Sequence, residues 1–376
     1  MSDLLGVSPL THVAPLRCAV VSAVKHDYVP IAVASHPRFQ IVVVTDDPNV
    51  PDCFHARNER LAAELSVPYV RDVETALRDF QADVAIVSSE AERHAELSVR
   101  ALRAGLHVIQ DKPLGIRRQD VQLLRETVLV TGRRFLMWNR NCLPSVIDLR
   151  DRVSRGEIGR LRAIHIDFYF AKDAGIRKGE RTAEYPPMDW WSYQLEAHRD
   201  GSDGGLGRQP MGELSNEGIY PLGYMQMLTS APVRRVFARG ASHIHQLYVD
   251  NRVEDLASVT LEFADGVIGS IALGRIGLSS HSSGGEIKLR VLGDGGACVI
   301  REAAPTVGVY YQQQPNKEPR TRRVASESDF RLAENFAYAI DHDQETIMDI
   351  ESSWQVFLTF EAARRSCVSG RMEEVR

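Results

Sequence analysis

Between residues 17 and 139 the chain alternates short apolar runs with stretches of helical periodicity, and this alternation leaves few folds open. The runs fall at 17–22 (RCAVVS), 41–47 (IVVVTDD), 67–70 (VPYV), 82–89 (ADVAIVSS), 106–113 (LHVIQDKP) and 134–139 (RFLMWN). Nearly continuous apolar runs of this length are what strands buried on both faces look like. The segments between them, 28–37, 56–67, 73–80, 92–105 and 117–132, read as helices. His36-Pro37 ends the first, and Gly105 offers a left-handed cap to the fourth. Strand–helix alternation with short connections implies right-handed crossovers and a parallel sheet.

Such Rossmann-like sheets bind ligands beyond the carboxyl ends of their strands. Those ends carry Ser22, Asp46, Ser88 with Ser89, Lys112 and Asn139. A dinucleotide fold ordinarily has G-x-G-x-x-G after its first strand, which permits a tight turn and close approach of the backbone to pyrophosphate. Here the loop is Ser22-Ala23-Val24-Lys25-His26-Asp27, without glycine. Val24 is expected to crowd the phosphates, and Asp27, as a helix cap, brings negative charge to the anion site. Lys25 and His26 are the compensating pyrophosphate contacts. Three outcomes stay open: a shifted binding geometry, a different ligand, or lost binding. Retained binding is favoured, because Asp46 ends the second strand where a carboxylate accepts from ribose hydroxyls. Its charge repels a 2′-phosphate, so NAD is expected in preference to NADP. Neighbouring Asp47 is the alternative acceptor.

After residue 140 the pattern changes. A helix at 143–159 stops at Gly156, and 161–170 (LRAIHIDFYF) alternates like a half-buried strand. Runs at 234–244, 254–274, 285–302 and 307–314 carry Ala-Asp-Gly and Gly-Asp-Gly-Gly turns, which are hairpin chemistry. An open, mainly antiparallel sheet follows, with terminal helices at 329–341 and 352–367. The expected organisation is a lead-in at 1–16, a dinucleotide-binding domain at 17–140, and an α+β substrate and oligomerisation domain at 141–376. A chain of 376 residues supports two cores.

A net charge of −5 argues against nucleic acid as a partner. No apolar run approaches the roughly 20 residues that span a bilayer, and the first residues do not read as a secretory signal. The five cysteines form no C-x-x-C pair, as expected of reduced thiols in a cytoplasmic protein. The pair His243 and His245 lacks companion ligands, so no metal is expected.

Four fragments, HAELSVRALRAGLHVIQDKPLG (94–115), RGEIGRL (155–161), GELSNEGIYPL (212–222) and VEDLASVTLEFADGVIGSI (253–271), resemble the Gfo/Idh/MocA oxidoreductases in order and spacing. That group includes glucose–fructose oxidoreductase and inositol dehydrogenase. The resemblance covers nearly the whole chain after residue 17. The family's Glu-Lys-Pro motif stands here as Asp111-Lys112-Pro113, and its lysine lies between nicotinamide and the substrate hydroxyl, a role the resemblance carries to Lys112. Independently, a lysine fixed at the end of a buried strand favours oxyanion character at a bound oxygen. A surface lysine beside a turn is the structural alternative. In the third fragment Asn216 occupies the family's aspartate position and Tyr220 its histidine position, similar to the glucose–fructose oxidoreductase and dihydrodiol dehydrogenase branches.

Oxidising an alcohol needs a proton acceptor within hydrogen-bond reach. An ammonium nearby favours a phenolate, so Lys112 and Tyr220 make sense as a pair, with a packed helix tyrosine as the alternative. Asn216 cannot titrate, so a relay through an aspartate is lost. Pro221 implies that the helix begins or kinks near Glu217. Arg140 is either a phosphate or substrate contact or a structural ion pair. The Gly-, Pro- and charge-rich 171–210, with Trp190, Trp191 and His198, reads as a lid or substrate wall.

The resemblance thus implies a cytoplasmic NAD-dependent oxidoreductase of sugar- or cyclitol-like alcohols, and a homodimer or homotetramer through the C-terminal sheet. A non-catalytic sugar or nucleotide sensor is the alternative, since the family includes a regulatory protein of yeast galactose metabolism.

Overall fold

The computed structural model describes residues 14–24, 26–139, 141–170, 212–229, 231–244, 248–249, 252–275, 287–302 and 327–376. Two compact units result, one of Met1–Asp111, Gln122–Leu136 and Arg323–Thr346, the other of Lys112–Val121, Met137–Arg322 and Ile347–Arg376.

The first unit is built on six parallel strands: β1 (Leu16–Val21), β2 (Phe39–Thr45), β3 (Tyr69–Val70), β4 (Val84–Val87), β5 (His107–Asp111) and β6 (Phe135–Trp138). Their order is β3-β2-β1-β4-β5-β6. Cys18–Val21 pair in register with Val84–Val87, and all eight side chains are fully buried. That is why these runs lack polar alternation. The chain winds outward from β1 through β2 to β3, then restarts at β4 on the other side. The switch point, where such sheets bind ligands, therefore lies at the carboxyl ends of β1 and β4. Between the strands run α1 (Tyr28–Ala34), α2 (Asp52–Leu65), α3 (Val73–Asp79), α4 (His94–Arg103) and α5 (Arg118–Thr131).

The second unit holds α6 (Pro144–Ser154), β7 (Leu161–Phe170), α7 (Glu213–Asn216), α8 (Ile219–Thr229), β8 (Val233–Ala241), β9 (Leu256–Phe263), β10 (Ile268–Arg275), β11 (Ile287–Gly293) and β12 (Ala297–Glu302). After α9 (Glu327–Asp341) come α10 (Ile350–Ser369) and β13 (Glu373–Glu374). Seven strands form a sheet in the order β12-β11-β7-β10-β9-β8-β13. It is mainly antiparallel, as the hairpin turns require, with β7 and β10 paired in parallel.

Helix α9 departs from the sequence reading, which placed 329–341 in the second domain. It groups with the first unit because Phe336 stacks on Phe39 (6.4 Å between centroids) and Arg38 pairs with Asp341. Lys112–Val121 likewise groups with the second unit, so the boundary is not a single crossing near residue 140. Among the described residues no helix is long and apolar enough to cross a membrane, and no cluster of His, Cys, Asp and Glu is placed to hold a metal ion.

Candidate active site

The glycine-free loop leaves β1 through Ser22, which takes φ +61°, the left-handed backbone a glycine would ordinarily supply. Ser22 stays in the sheet, its amide donating to Thr45 O (2.8 Å) and its carbonyl accepting from Ser88 N (3.0 Å). The Ser22 hydroxyl is buried and has no hydrogen-bond partner among the described residues. An unsatisfied hydroxyl at the head of the β1–β4 crevice fits a phosphate or ribose oxygen there.

The rest of the loop is tied down by side chains. Ala23 N donates to Asn58 Oδ1 (2.8 Å), and Arg57 donates to the Val24 carbonyl. Val24 is 1% exposed, so its side chain is enclosed by protein atoms. Ser88 Oγ donates to the His26 carbonyl (2.7 Å), and His26 Nδ1 lies 2.5 Å from Asp111 Oδ2. Asp27 sits at the N-cap of α1 in helical backbone, without a side-chain capping bond. Hydrogen bonds to Arg57 and Asn58 of α2 and to the ends of β4 and β5 thus replace the glycine turn as the device that fixes this loop.

Asp46, the expected ribose acceptor, is fully buried. Its Oδ1 accepts from Arg93 Nη1 and Asp47 N (both 2.8 Å), and its Oδ2 from Asn58 Nδ2 (3.0 Å). Arg93 also pairs with Glu90 (2.9 Å); burial opposes its charge, yet these carboxylates hold it more firmly protonated than a free guanidinium. Asp47 is the partly exposed member of the pair, bidentate to Arg100 (2.8 and 2.9 Å). Arg100 also pairs with Glu74 and Glu96. Five carboxylates (Asp46, Asp47, Glu74, Glu90, Glu96) surround two guanidiniums here, a formal charge of −3 that disfavours a 2′-phosphate. Asn58, Arg93 and Arg100 do not enter the sequence reading. For Asn58 a signal existed: it lies on the apolar face of α2 with Phe54, Leu61 and Ala62, where an amide needs partners.

In the second unit, Lys112 is 1% exposed and its ammonium donates to Asn216 O (2.6 Å) and Asn216 Oδ1 (3.1 Å). A helix break makes this possible. α7 ends at Asn216 and α8 begins at Ile219, with Pro221 in its first turn. Tyr220 N donates to Glu217 O (3.2 Å) rather than to Asn216 O, which leaves the Asn216 carbonyl for the lysine. Lys112 Nζ also lies 3.5 Å from Glu217 Oε1 and 5.1 Å from the Tyr220 ring centroid. Tyr220 is 7% exposed, against Phe168 of β7 (5.8 Å between centroids). Asn139, at the end of β6, donates to Ile219 O (3.3 Å). Gly223 lets α8 approach this closely: a Cβ there would lie 2.4 Å from Asn139 Nδ2 and 3.0 Å from Asn141 Oδ1.

The structure therefore brings Lys112, Asn216 and Tyr220 together, and separately Ser22, Val24, His26, Ser88 and Asp111. Lys25, Arg140, Trp190, Trp191, His198, His245 and the expected strand at 307–314 lie outside the described residues.

Residues 16–138 match a family model described as oxidoreductase family, NAD-binding Rossmann fold, and residues 146–299 match the GFO/IDH/MocA C-terminal domain. The chain belongs to the Gfo/Idh/MocA oxidoreductases. Within this family it is 25% identical over 264 residues to trans-1,2-dihydrobenzene-1,2-diol dehydrogenase of Mus musculus, covering 68% of this chain and 67% of that one. It is 31% identical over 152 residues to dTDP-3,4-didehydro-2,6-dideoxy-alpha-D-glucose 3-reductase of Streptomyces violaceoruber, a stretch of 39% of this chain and 35% of the reductase. The crystal structure of scyllo-inositol dehydrogenase from Lactobacillus casei with bound cofactor NAD(H) and scyllo-inositol superposes with a TM-score of 0.71, over 96% of this chain and 99% of that one. At 13% identity, that likeness is one of fold.

Proposed function

We propose that this Gfo/Idh/MocA chain interconverts a secondary alcohol and its ketone with a nicotinamide dinucleotide, on a polyhydroxylated sugar- or cyclitol-like substrate. The observation that carries this reading is the buried Lys112 ammonium at the end of β5, held by the α7–α8 break and facing the ring of Tyr220. A buried cation costs several kcal/mol unless it is partnered, so one kept at a strand end where ligands bind is better explained by chemistry than by stability.

Ser22, through its unsatisfied hydroxyl, with Lys25, His26, Ser88 and the backbone at Val24, would hold the pyrophosphate. Asp111 holds His26 in place. Asp47, in front of the enclosed Asp46, would accept from the adenosine ribose, and Asn139 with Arg140 would border the nicotinamide. The negative cluster around Asp47 supports NAD over NADP. When bound, the nicotinamide supplies the two-electron acceptor for the substrate carbon.

The protein's own part is orientation and proton transfer. Lys112 donates to the substrate oxygen and stabilises the negative charge it gains as the alcohol is oxidised. Tyr220 takes the hydroxyl proton. Trp190 and Trp191 stay substrate-contact candidates from the sequence alone, and the relatives named for a diol, a deoxysugar and an inositol support the polyol class.

Tryptophan-fluorescence titration with NADH and NADPH, followed by a panel of sugars and cyclitols, tests the proposal. Tighter binding of NADH, with turnover lost in Lys112→Ala, is the expected result. Tight binding of a sugar with neither cofactor binding nor turnover would instead identify a sensor.

A further inference from the structure

The second half of α10 carries Glu361, Arg364, Arg365 and Val368 at i, i+3, i+4 and i+7, which places them on one face of the helix. That face borders a cavity of about 570 Å³, whose lining also includes Leu214 of α7 and Glu254, just before β9. Small-molecule sites span about 300–1,000 Å³. Two of the three charged side chains on the helix already have partners. Glu361 pairs with Arg118 (3.1 Å), and Arg365 donates to Glu374 O (2.8 Å) and stands 3.7 Å from Glu373. Arg364 is half-buried and, among the described residues, has neither a hydrogen bond nor an ion pair. A guanidinium drawn partly out of water and left unpaired is destabilising, and an anion in the cavity would offset that cost.

Glu254 brings a carboxyl to the same cavity, half-buried and without an ion pair among the described residues. Gly212 leaves room for it, since a Cβ there would overlap the carboxyl group. Burial pushes this carboxyl up to about 7; its own amide, Arg364 and the Leu214 amide oppose the rise, and Glu213 adds to it. The groups facing it are Glu213 of α7 and Arg364 and Cys367 of α10, with Arg239 of β8 beside Cys367. Near neutral pH the carboxyl is thus in part a hydroxyl donor.

A donor carboxyl and an unpaired guanidinium in one cavity suit a single ligand group, a carboxylate, which accepts N–H bonds from arginine and an O–H bond from a protonated acid. Glu361 and Glu373 disfavour a dianion such as a phosphate ester, while Leu214, Cys367 and Val368 offer apolar surface to an organic body. We propose that this cavity binds a small organic monocarboxylate, held between Arg364 and Glu254. Among the described residues its lining includes none of Lys112, Asn216 and Tyr220, so the site is distinct from the one proposed for hydride transfer and does not rest on that reading.

Ligand-observed NMR titration of the full chain with benzoate, hexanoate, benzylamine and inorganic phosphate tests this. At pH 6 at least one of the two carboxylates should bind with a Kd of about 1 mM or tighter. Arg364→Gln should weaken it at least about tenfold, the loss expected when hydrogen bonds to a charged group are removed. Across a midpoint near 7, a ligand that needs Glu254 protonated should bind about tenfold more weakly at pH 8 than at pH 6. Glu254→Gln, whose amide donates at either pH, should abolish that dependence and bind at pH 8 as the native chain does at pH 6.

Carboxylate affinity unchanged to within about twofold in Arg364→Gln overturns the inference, as do benzylamine or phosphate binding more tightly than both carboxylates, equal carboxylate affinity at pH 6 and 8, or no carboxylate binding up to tens of millimolar. Should Arg364→Gln fail to fold, Arg364→Lys serves: a point charge in place of the planar fork should weaken the carboxylate by about threefold or more, and an unchanged affinity overturns the inference equally. Carboxylate binding that meets these expectations, with no turnover on any polyol, leaves the inference standing and counts against the dehydrogenase reading alone.

Discussion

Asn58 links the cofactor loop to the acid at the end of β2, and replacing it tests how the loop is held without glycine. Its side chain is fully buried, accepts from Ala23 N at 2.8 Å and donates to Asp46 Oδ2 at 3.0 Å. Asn58→Ala leaves an amide and a carboxylate oxygen unsatisfied in the interior, each costing about 1–3 kcal/mol. Arg93 and Asp47 N still serve the other oxygen of Asp46, so the total should be about 2–5 kcal/mol. Urea unfolding at pH 7 should show this loss. Hydrogen exchange of the peptide spanning β1 and α1 should become faster by at least about tenfold, since each 1.4 kcal/mol is a factor of ten. NADH affinity should fall with it, because the same loop carries the proposed pyrophosphate contacts. Asn58→Asp keeps the acceptor for Ala23 but sets a second carboxylate against Asp46, so it should not rescue at neutral pH. Destabilisation under about 0.5 kcal/mol in Asn58→Ala, with unchanged exchange, would refute the view that side chains replace the glycine turn.

Three further outcomes are expected. Ser22→Gly removes both a left-handed φ and an unsatisfied buried hydroxyl, so thermal unfolding should show a gain of about 1–2 kcal/mol while calorimetry shows weaker NADH binding. Gly223→Ala puts a methyl 2.4 Å from Asn139 Nδ2, so α8 must move; a loss of about 1–3 kcal/mol in denaturation and reduced turnover through displaced Tyr220 are expected. His107 is held near pKa about 4 by burial and by Arg133 and Arg134, and its Nδ1 accepts from Arg134 N (2.8 Å). The unfolded chain therefore binds more protons between pH 6.5 and 4, so this contribution is complete above 6.5 and lost as the pH falls towards 4. With solvent screening at a half-buried ring it amounts to on the order of 1–2 kcal/mol, and His107→Gln should flatten that part of a urea-midpoint profile.

How much of this was legible beforehand varied with the range of the interactions. Strands buried on both faces announce themselves, so β1, β2 and β4 appear in the sequence as apolar runs, and β7 as an alternating one at 161–170. The helix break near Glu217 was legible because Pro221 lacks an amide hydrogen. The enclosure of Asp46 was not: its partners Asn58 and Arg93 come from 12 and 47 residues away, and pairing across helices leaves no local pattern. The docking of α9 on the first unit was hidden for the same reason, since Phe336 and Asp341 meet Phe39 and Arg38 from some 300 residues along the chain. Glu217 stood beside a residue already singled out, but only the backbone turn at 217–218 decides that both side chains reach Lys112.

In the proposed reaction the hydride of the C–H bond at the carbinol carbon would pass to nicotinamide beside Lys112, while the hydroxyl proton goes to Tyr220. Mass spectrometry of the dinucleotide after incubation with NAD and C-deuterated cyclitols and sugars reads this directly. Deuterium should appear in the reduced cofactor with the native chain and at least about 100-fold more slowly with Lys112→Met, while NAD affinity changes little. Label transfer at the same rate in Lys112→Met, or a polyol bound tightly with no label transferred by the native chain, would contradict it.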